Sequence, residues 1–298
     1  MTWQFVIAGF AVGVLVGMTG MGGGSLMTPM LILVFGFDPK TAVGTDILHG
    51  AIFKSFGAWR HRRLGNVNVS LAAWILLGSG PCSLVGVELA NSFSVAAEAT
   101  MSKIIGAALI VGGIGFLART FVKPRTDIPD GPFRLSRRDK FVAIAIGASC
   151  GFVVGLTSVG SGTFFGLFML FLFPLSATQM VGTDVAQAAA LLWIAGAGYL
   201  LHGNVDLHAI AWLLVGSIPG VFLGANLSIK VPDRALRTVF AFVLMLSGIK
   251  LVEVPGATTI IEVSVVVLTL GVIVWSARQL QQRRTAASAR RIRAENPA

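Results

Sequence analysis

Slid against itself by 138 residues, the sequence aligns positions 13–89 with 151–227 without a gap, and 23 of these 77 pairs are identical. The identities include whole motifs. Gly44-Thr45-Asp46 meets Gly182-Thr183-Asp184, and Gly65-Asn66-Val67 meets Gly203-Asn204-Val205. Trp74, Gly78, Ser79 and Pro81 meet Trp212, Gly216, Ser217 and Pro219. Shared apolar composition scatters identities; it does not place three motifs in one register. The chain is an internal duplication, so its fold must be built from two copies of one unit.

Each copy is almost wholly apolar. Charged residues make up 12% of the chain, against about 25% in a soluble protein, and several runs reach the roughly 20 residues that cross a bilayer core. This is an all-α, polytopic helical membrane protein. Each copy opens with an interrupted apolar pair, residues 3–17 with 25–36 and 139–156 with 163–174. Three longer spans follow: 41–60, 67–90 and 101–119, then 178–200, 207–228 and 236–252. A last span near 259–280 stands outside the repeat. The domains expected are repeat one (1–121), a basic linker (122–138), repeat two (139–253), a final helix (254–281) and a basic tail (282–298).

The interrupted pair returns to its starting side whether it is re-entrant or spans fully, a choice the sequence leaves open. Three more crossings make each copy odd, so the two repeats are expected to be inverted. Charge supports the inversion: Arg60, Arg62 and Arg63 become Gly198, Leu200 and Leu201 at the same register. Sixteen of the 23 basic residues fall at Arg60–Arg63, Arg119–Lys140 and Arg278–Arg293, each flanking a membrane segment. The positive-inside rule accounts for the net charge of +10 without nucleic acid. It places the N-terminus outside and the tail in the cytoplasm, where it meets lipid or solvent. The opening, MTWQFVIAGF, has no basic flank and reads as a first helix anchored by Trp3 rather than a cleaved leader. Cys82 and Cys150 lie in apolar segments without CxxC spacing, as buried small hydrophobes rather than metal or redox groups. No cofactor is implied.

The interruptions are Thr19-Gly-Met-Gly-Gly-Gly-Ser25 and Thr157-Ser-Val-Gly-Ser-Gly-Thr163. Breaking a helix inside a membrane bares N–H groups, which is tolerable in protein or beside a watery cavity. Those groups carry the positive end of a helix dipole and make a seat for an anion. Gly22, Gly23, Gly24, Gly160 and Gly162 would let the backbone approach a ligand. Thr19, Ser25, Thr157, Ser161 and Thr163 would add hydroxyls, as would Thr45 and Thr183. The competing reading is close helix packing alone, as small residues allow at four-residue spacing. The glycines are not a nucleotide loop, because no Lys-Ser/Thr follows them.

Asp46 and Asp184 are intramembrane acids, which mark pathways or proton relays or merely cap a helix start. A carboxylate beside an anion seat repels substrate unless protonated, which suggests proton coupling. His49, with Gln187 in its place in copy two, lies three residues on from Asp46 on the same helical face, as a proton partner for it or as a helix-to-helix hydrogen bond. Lys54 is expected to snorkel to the boundary, with attraction of an anion as the alternative.

On the duplicated Gly-rich stretch, the GTD triplets, GNV and W-x3-GS-x-P, the chain resembles the TauE/SafE family of sulfite-exporter-like membrane transporters over nearly all of residues 5–277. The resemblance implies a secondary transporter in a bacterial inner membrane. Its partners would be membrane lipids and a small anionic solute, such as sulfite or a sulfonate. A homo-oligomer stays open. Copy two departs from copy one with Ser158 for Gly20 and Ser161 for Gly23, so the half-sites need not be equal. A passive anion channel and an intramembrane aspartyl protease using Asp46 and Asp184 are the alternatives.

Overall fold

The structure, a computed structural model, describes residues 2–19, 24–94, 97–121, 133, 135–228 and 233–256. Within them lie ten α-helices and no strand. Copy one gives α1 (Thr2–Thr19), α2 (Gly24–Leu33), α3 (Pro39–Arg63), α4 (Val69–Ser92) and α5 (Glu98–Phe121). Copy two gives α6 (Arg137–Thr157), α7 (Phe164–Leu172), α8 (Ala177–Leu201), α9 (Leu207–Ser228) and α10 (Asp233–Leu251). Every one falls within three residues of its apolar run. Met1–Val252 is one compact unit, and a second begins at Glu253. The expected last span, the tail and residues 122–132 of the linker lie outside the described residues.

The helix starts follow from capping chemistry, and they repeat. The Asp38 carboxylate accepts the Thr41 N–H ahead of α3, and Ser176 accepts the Gln179 N–H ahead of α8. Asn68 and Asp206 do the same for α4 and α9. Before each of these last two starts, Gly65 and Gly203 turn the chain at φ 71° and 73°, a backbone state that glycine adopts without penalty.

The copies interlock. The first helix of each packs along the fourth helix of the other, α1 on α9 and α6 on α4. Gly9 and Gly13 meet Leu213 and Ser217, while Gly147 and Gly151 meet Ile75 and Ser79; a shift of 138 turns one set into the other. Chain direction agrees within each pair, so α1 runs parallel to α9 and α6 to α4. The equivalent helices α3 and α8 run antiparallel, since Gly44 at the start of α3 lies against Asn204 beyond the end of α8, and Gly182 against Asn66. Ser55 and Trp193 occupy equivalent positions and bond to each other, indole N–H to hydroxyl, at 3.0 Å. Such contacts define an approximate two-fold relation between the copies.

Glycines make the first of these seams possible. Gly147, Gly151 and Gly155 recur every fourth residue on α6, as Gly216, Gly220 and Gly224 do on α9. A Cβ at Gly151 would stand 2.5 Å from the Ser79 Cα. The small-residue packing weighed for the interruptions is therefore present, but in these helices.

Five described helices are long and apolar enough to cross a membrane: α4, α6, most of α5 and α8, and Leu207–Gly224 of α9. Trp3, Phe56, Leu77, Phe141 and Phe222 are exposed on the outside, as faces turned to lipid require. α3 is as long as any helix, yet Asp46, Lys54 and the Arg60–Arg63 cluster lower its hydropathy. Its polar groups turn inward instead: every residue from Ala42 to Ala51 is buried.

Candidate functional site

Asp46 lies about 10 Å, and Lys54 about 22 Å, along a helix of about 37 Å, at 1.5 Å per residue over its 25 residues. The two bracket the middle of α3. They are 1% and 2% exposed, so Lys54 does not snorkel. Its ammonium is held inside the bundle.

What holds it is the second interruption. α6 stops at Ser158, whose φ of 62° is left-handed and whose N–H returns to the Val154 carbonyl. Gly160 and Gly162, at φ 118° and 113°, carry the chain through the turn to α7. α7 has nine residues, about 13 Å of helix, less than half of a bilayer core. Ser158, Val159, Ser161 and Thr163 are all buried. Lys54 Nζ donates to the Ser161 carbonyl at 2.9 Å and to the Ser161 hydroxyl at 2.8 Å.

Asp46 is bound at the same interruption. Its Oδ2 accepts from the Ser158 hydroxyl at 2.9 Å, and from the Thr28 N–H and hydroxyl of α2 at 3.1 and 2.5 Å. One carboxylate oxygen thus joins the short arm of copy one to the broken helix of copy two. Its other oxygen, Oδ1, is buried and accepts no hydrogen bond among the described residues. Asp184 is also buried, and both carboxylates act electrostatically on the Lys54 ammonium.

Beside these groups lies a cavity lined by Val12, Gly13 and Val16 of α1, Ser217 of α9, and Asp46, His49, Gly50, Phe53 and Lys54 of α3. It has room for about one water molecule. His49 Nε2 is 3.0 Å from the Ser217 hydroxyl. Gln187 Nε2 donates to Ser79 at 3.1 Å, the same bond shifted by 138 residues.

The other sequence candidates divide. Thr45 and Thr183 face the opposite copy: their hydroxyls accept the N–H of Asp206 and Asn68 at 3.0 and 2.9 Å, and neither lines the cavity. Thr157 bonds back to the Val153 carbonyl at 2.7 Å. The Thr163 hydroxyl is buried without a described partner at the start of α7. Of the first interruption, Gly22 and Gly23 lie outside the described residues. Thr19 and Ser25 are placed as helix ends without a described side chain, and Gly24 opens α2.

Sequence reasoning did not single out Thr28, Ser158 and Ser217 for the site, and it placed Lys54 at the boundary with attraction of an anion only as the alternative. Lys54 did carry a signal: it is eight residues from Asp46, two turns on along one face, and Leu192 replaces it in copy two. Ser158 was visible as the departure from Gly20. Thr28 is matched by Gly166, Ser158 by Gly20 and His49 by Gln187, so the residues that the same shift relates to the surroundings of Asp46 offer Asp184 neither the cation nor those hydroxyls. The chemistry gathers on one side of the two-fold relation.

A bundle of apolar helices enclosing a buried lysine and buried carboxylates at a broken helix points to a membrane transport protein. Residues 5–251 match the model of the family described as sulfite exporter TauE/SafE, and the chain belongs to that family. It is 36% identical over 255 residues to the probable membrane transporter protein YjnA of Bacillus subtilis strain 168, covering 85% of this chain and all of the relative. It is 25% identical over 247 residues to YdhB of the same strain, covering 83% of this chain and 98% of the relative. A probable membrane transporter protein of Xylella fastidiosa strain Temecula1 is 24% identical over 243 residues, covering 80% and 90%. No solved structure is a significant match.

Proposed function

We propose that the protein is a secondary transporter of small sulfur-containing or organic anions, sulfite and sulfonates among them, and that each anion moves with a proton through Asp46. The observation that carries this reading is the Asp46 carboxylate, bound by α2 of one copy and by the interruption of the other. An element that touches both repeats at mid-bundle is what an alternating-access carrier needs at its substrate site. The Lys54 ammonium supplies positive charge there, and a protonated Asp46 would no longer repel the guest.

The two repeats are inverted across a bacterial inner membrane in this reading. The antiparallel run of α3 and α8 supports it, and so does the distribution of charge. Arg60–Arg63 end α3 at the same end of the bundle as Arg137, Arg138 and Lys140, where Lys140 lies 5.2 Å over the Trp74 ring. That end would be cytoplasmic. The family's description supports the substrate class and the export direction. Export would then run down the substrate's own gradient, since a carrier of anion plus proton works both ways.

The test is uptake by the purified protein in proteoliposomes, with a panel of sulfite, sulfonates, thiosulfate and carboxylates. Acidifying the outside by one pH unit should accumulate a transported monoanion about tenfold, because one pH unit is worth 1.36 kcal/mol per coupled proton. Flux that only equilibrates would make the protein a passive channel. No flux of any anion would end the proposal.

A further inference from the structure

We infer that Lys54 is the counter-charge of the transported anion, and that the cavity it shares with Asp46, which has room for one water as it stands and must widen as the repeats move to admit a guest, takes oxyanions of single negative charge in preference to dianions. The inference rests on the anion-transport reading and adds both a binding residue and a valence rule.

An ammonium has three N–H donors. Two of those on Lys54 are committed to Ser161, and among the described residues no third acceptor is bonded to it. Lys54 and Asp46 are both among the residues that line the cavity, and the Asp46 Oδ1 is buried without a hydrogen-bond partner among the described residues. A buried donor and a buried acceptor left open on residues beside one cavity are each costly unless a guest completes them. An anion and a proton together do so. The anion accepts from the remaining Lys54 N–H, and the proton on Asp46 turns its carboxylate into a second donor to the anion.

Charge decides the valence. With the cavity empty, Lys54 and an ionised Asp46 cancel. When a monoanion enters and Asp46 takes one proton, Lys54 and the anion cancel, so the charge of the site is the same loaded as empty. A dianion with one proton would leave an additional negative charge in a buried place, where uncompensated charge is strongly disfavoured. Asp184, itself buried and within electrostatic reach of Lys54, adds to the penalty. A sulfonate or bisulfite head group meets the rule; sulfate and thiosulfate do not.

Copy two shows how to test it. Leu192 stands where Lys54 stands in copy one, so the bundle accepts an apolar side chain at that register. Wild-type, Lys54→Met and Lys54→Arg proteins would be reconstituted and assayed with methanesulfonate and sulfate under the same outward acid step. Each anion's effect on thermal stability in detergent would be measured alongside. We expect wild-type uptake of methanesulfonate to exceed sulfate at least tenfold. Lys54→Met, eluting as a single species, should lose at least tenfold of methanesulfonate uptake together with the anion's stabilising effect. Lys54→Arg should keep the monoanion preference. Sulfate carried as fast as methanesulfonate by wild type overturns the inference, even where Lys54→Met fails to purify. Lys54→Met uptake at the wild-type rate overturns it too. Wild-type protein that carries neither these anions nor any of the wider panel removes the anion reading itself, which separates the two failures.

Discussion

Asp46→Asn is the substitution on which the proton-coupling reading turns. Asparagine has the shape of aspartate, and its amide oxygen can accept the three bonds now made to Oδ2, from the Thr28 N–H, the Thr28 hydroxyl and the Ser158 hydroxyl. A hydrogen bond to a charged group is worth about 1.5–3 kcal/mol and one between neutral groups about 0.5–1.5. Each bond to an ionised Asp46 would therefore weaken by about 1 kcal/mol, and the three by about 3 kcal/mol. That is a partial loss for a bundle of this size, so the variant should fold. Asp46→Ala would instead strand three buried donors and is the wrong probe. The amide cannot take up and release a proton. In proteoliposomes the wild type should accumulate a monovalent sulfonate about tenfold per unit of pH step, while Asp46→Asn should stop near equal concentrations on the two sides. Size-exclusion and thermal-unfolding profiles would confirm that the variant is folded. A folded Asp46→Asn protein that still accumulates substrate tenfold would refute the assignment of the proton to Asp46.

Other consequences follow from the same contacts. Ser158→Gly accepts the left-handed φ of 62° without strain and removes one donor to Asp46, so transport should slow about tenfold with a small change in melting temperature. Ser161→Ala takes away one of the two Lys54 acceptors and leaves the carbonyl, so the KM for the anion should rise about tenfold while the protein still inserts. Gly151→Val places a branched side chain against the Ser79 backbone, 2.5 Å from its Cα. That overpacking should cost about 1–3 kcal/mol, seen as a lower melting temperature. A cysteine at Arg62 and one at Lys40 should label from opposite faces of the membrane, with Arg62 reached from the cytoplasm.

The helices were legible because apolar runs of bilayer length, broken by glycine and capped by Asp38, Asn68, Ser176 and Asp206, leave little choice of boundary. The duplication was legible because its motifs carry tertiary contacts: Thr45 and Thr183 each bind the turn that follows the partner copy's Gly-Asn-Val. The hydroxyls that this recurring motif offered for substrate binding are the ones that accept the N–H groups of Asp206 and Asn68 and tie the copies together. Lys54 went the other way. Near a boundary along the chain, a lysine is expected to reach bulk water, and only the packing of α3 among α2, α8 and α9 shows that bulk water is out of reach. The site is legible where the copies differ, at Ser158 for Gly20, Lys54 for Leu192 and Thr28 for Gly166, because a duplicated scaffold frees one half to hold the charge.

The measurement that tests this most directly is a cryo-electron microscopy map of the protein loaded with methanesulfonate at acid pH. Oxyanion density should lie within hydrogen-bonding distance, about 3 Å, of both Lys54 Nζ and the Asp46 carboxyl, beneath the turn at Ser158–Thr163. Density seated elsewhere, with Lys54 and Asp46 walled off from it by apolar side chains, would contradict the account.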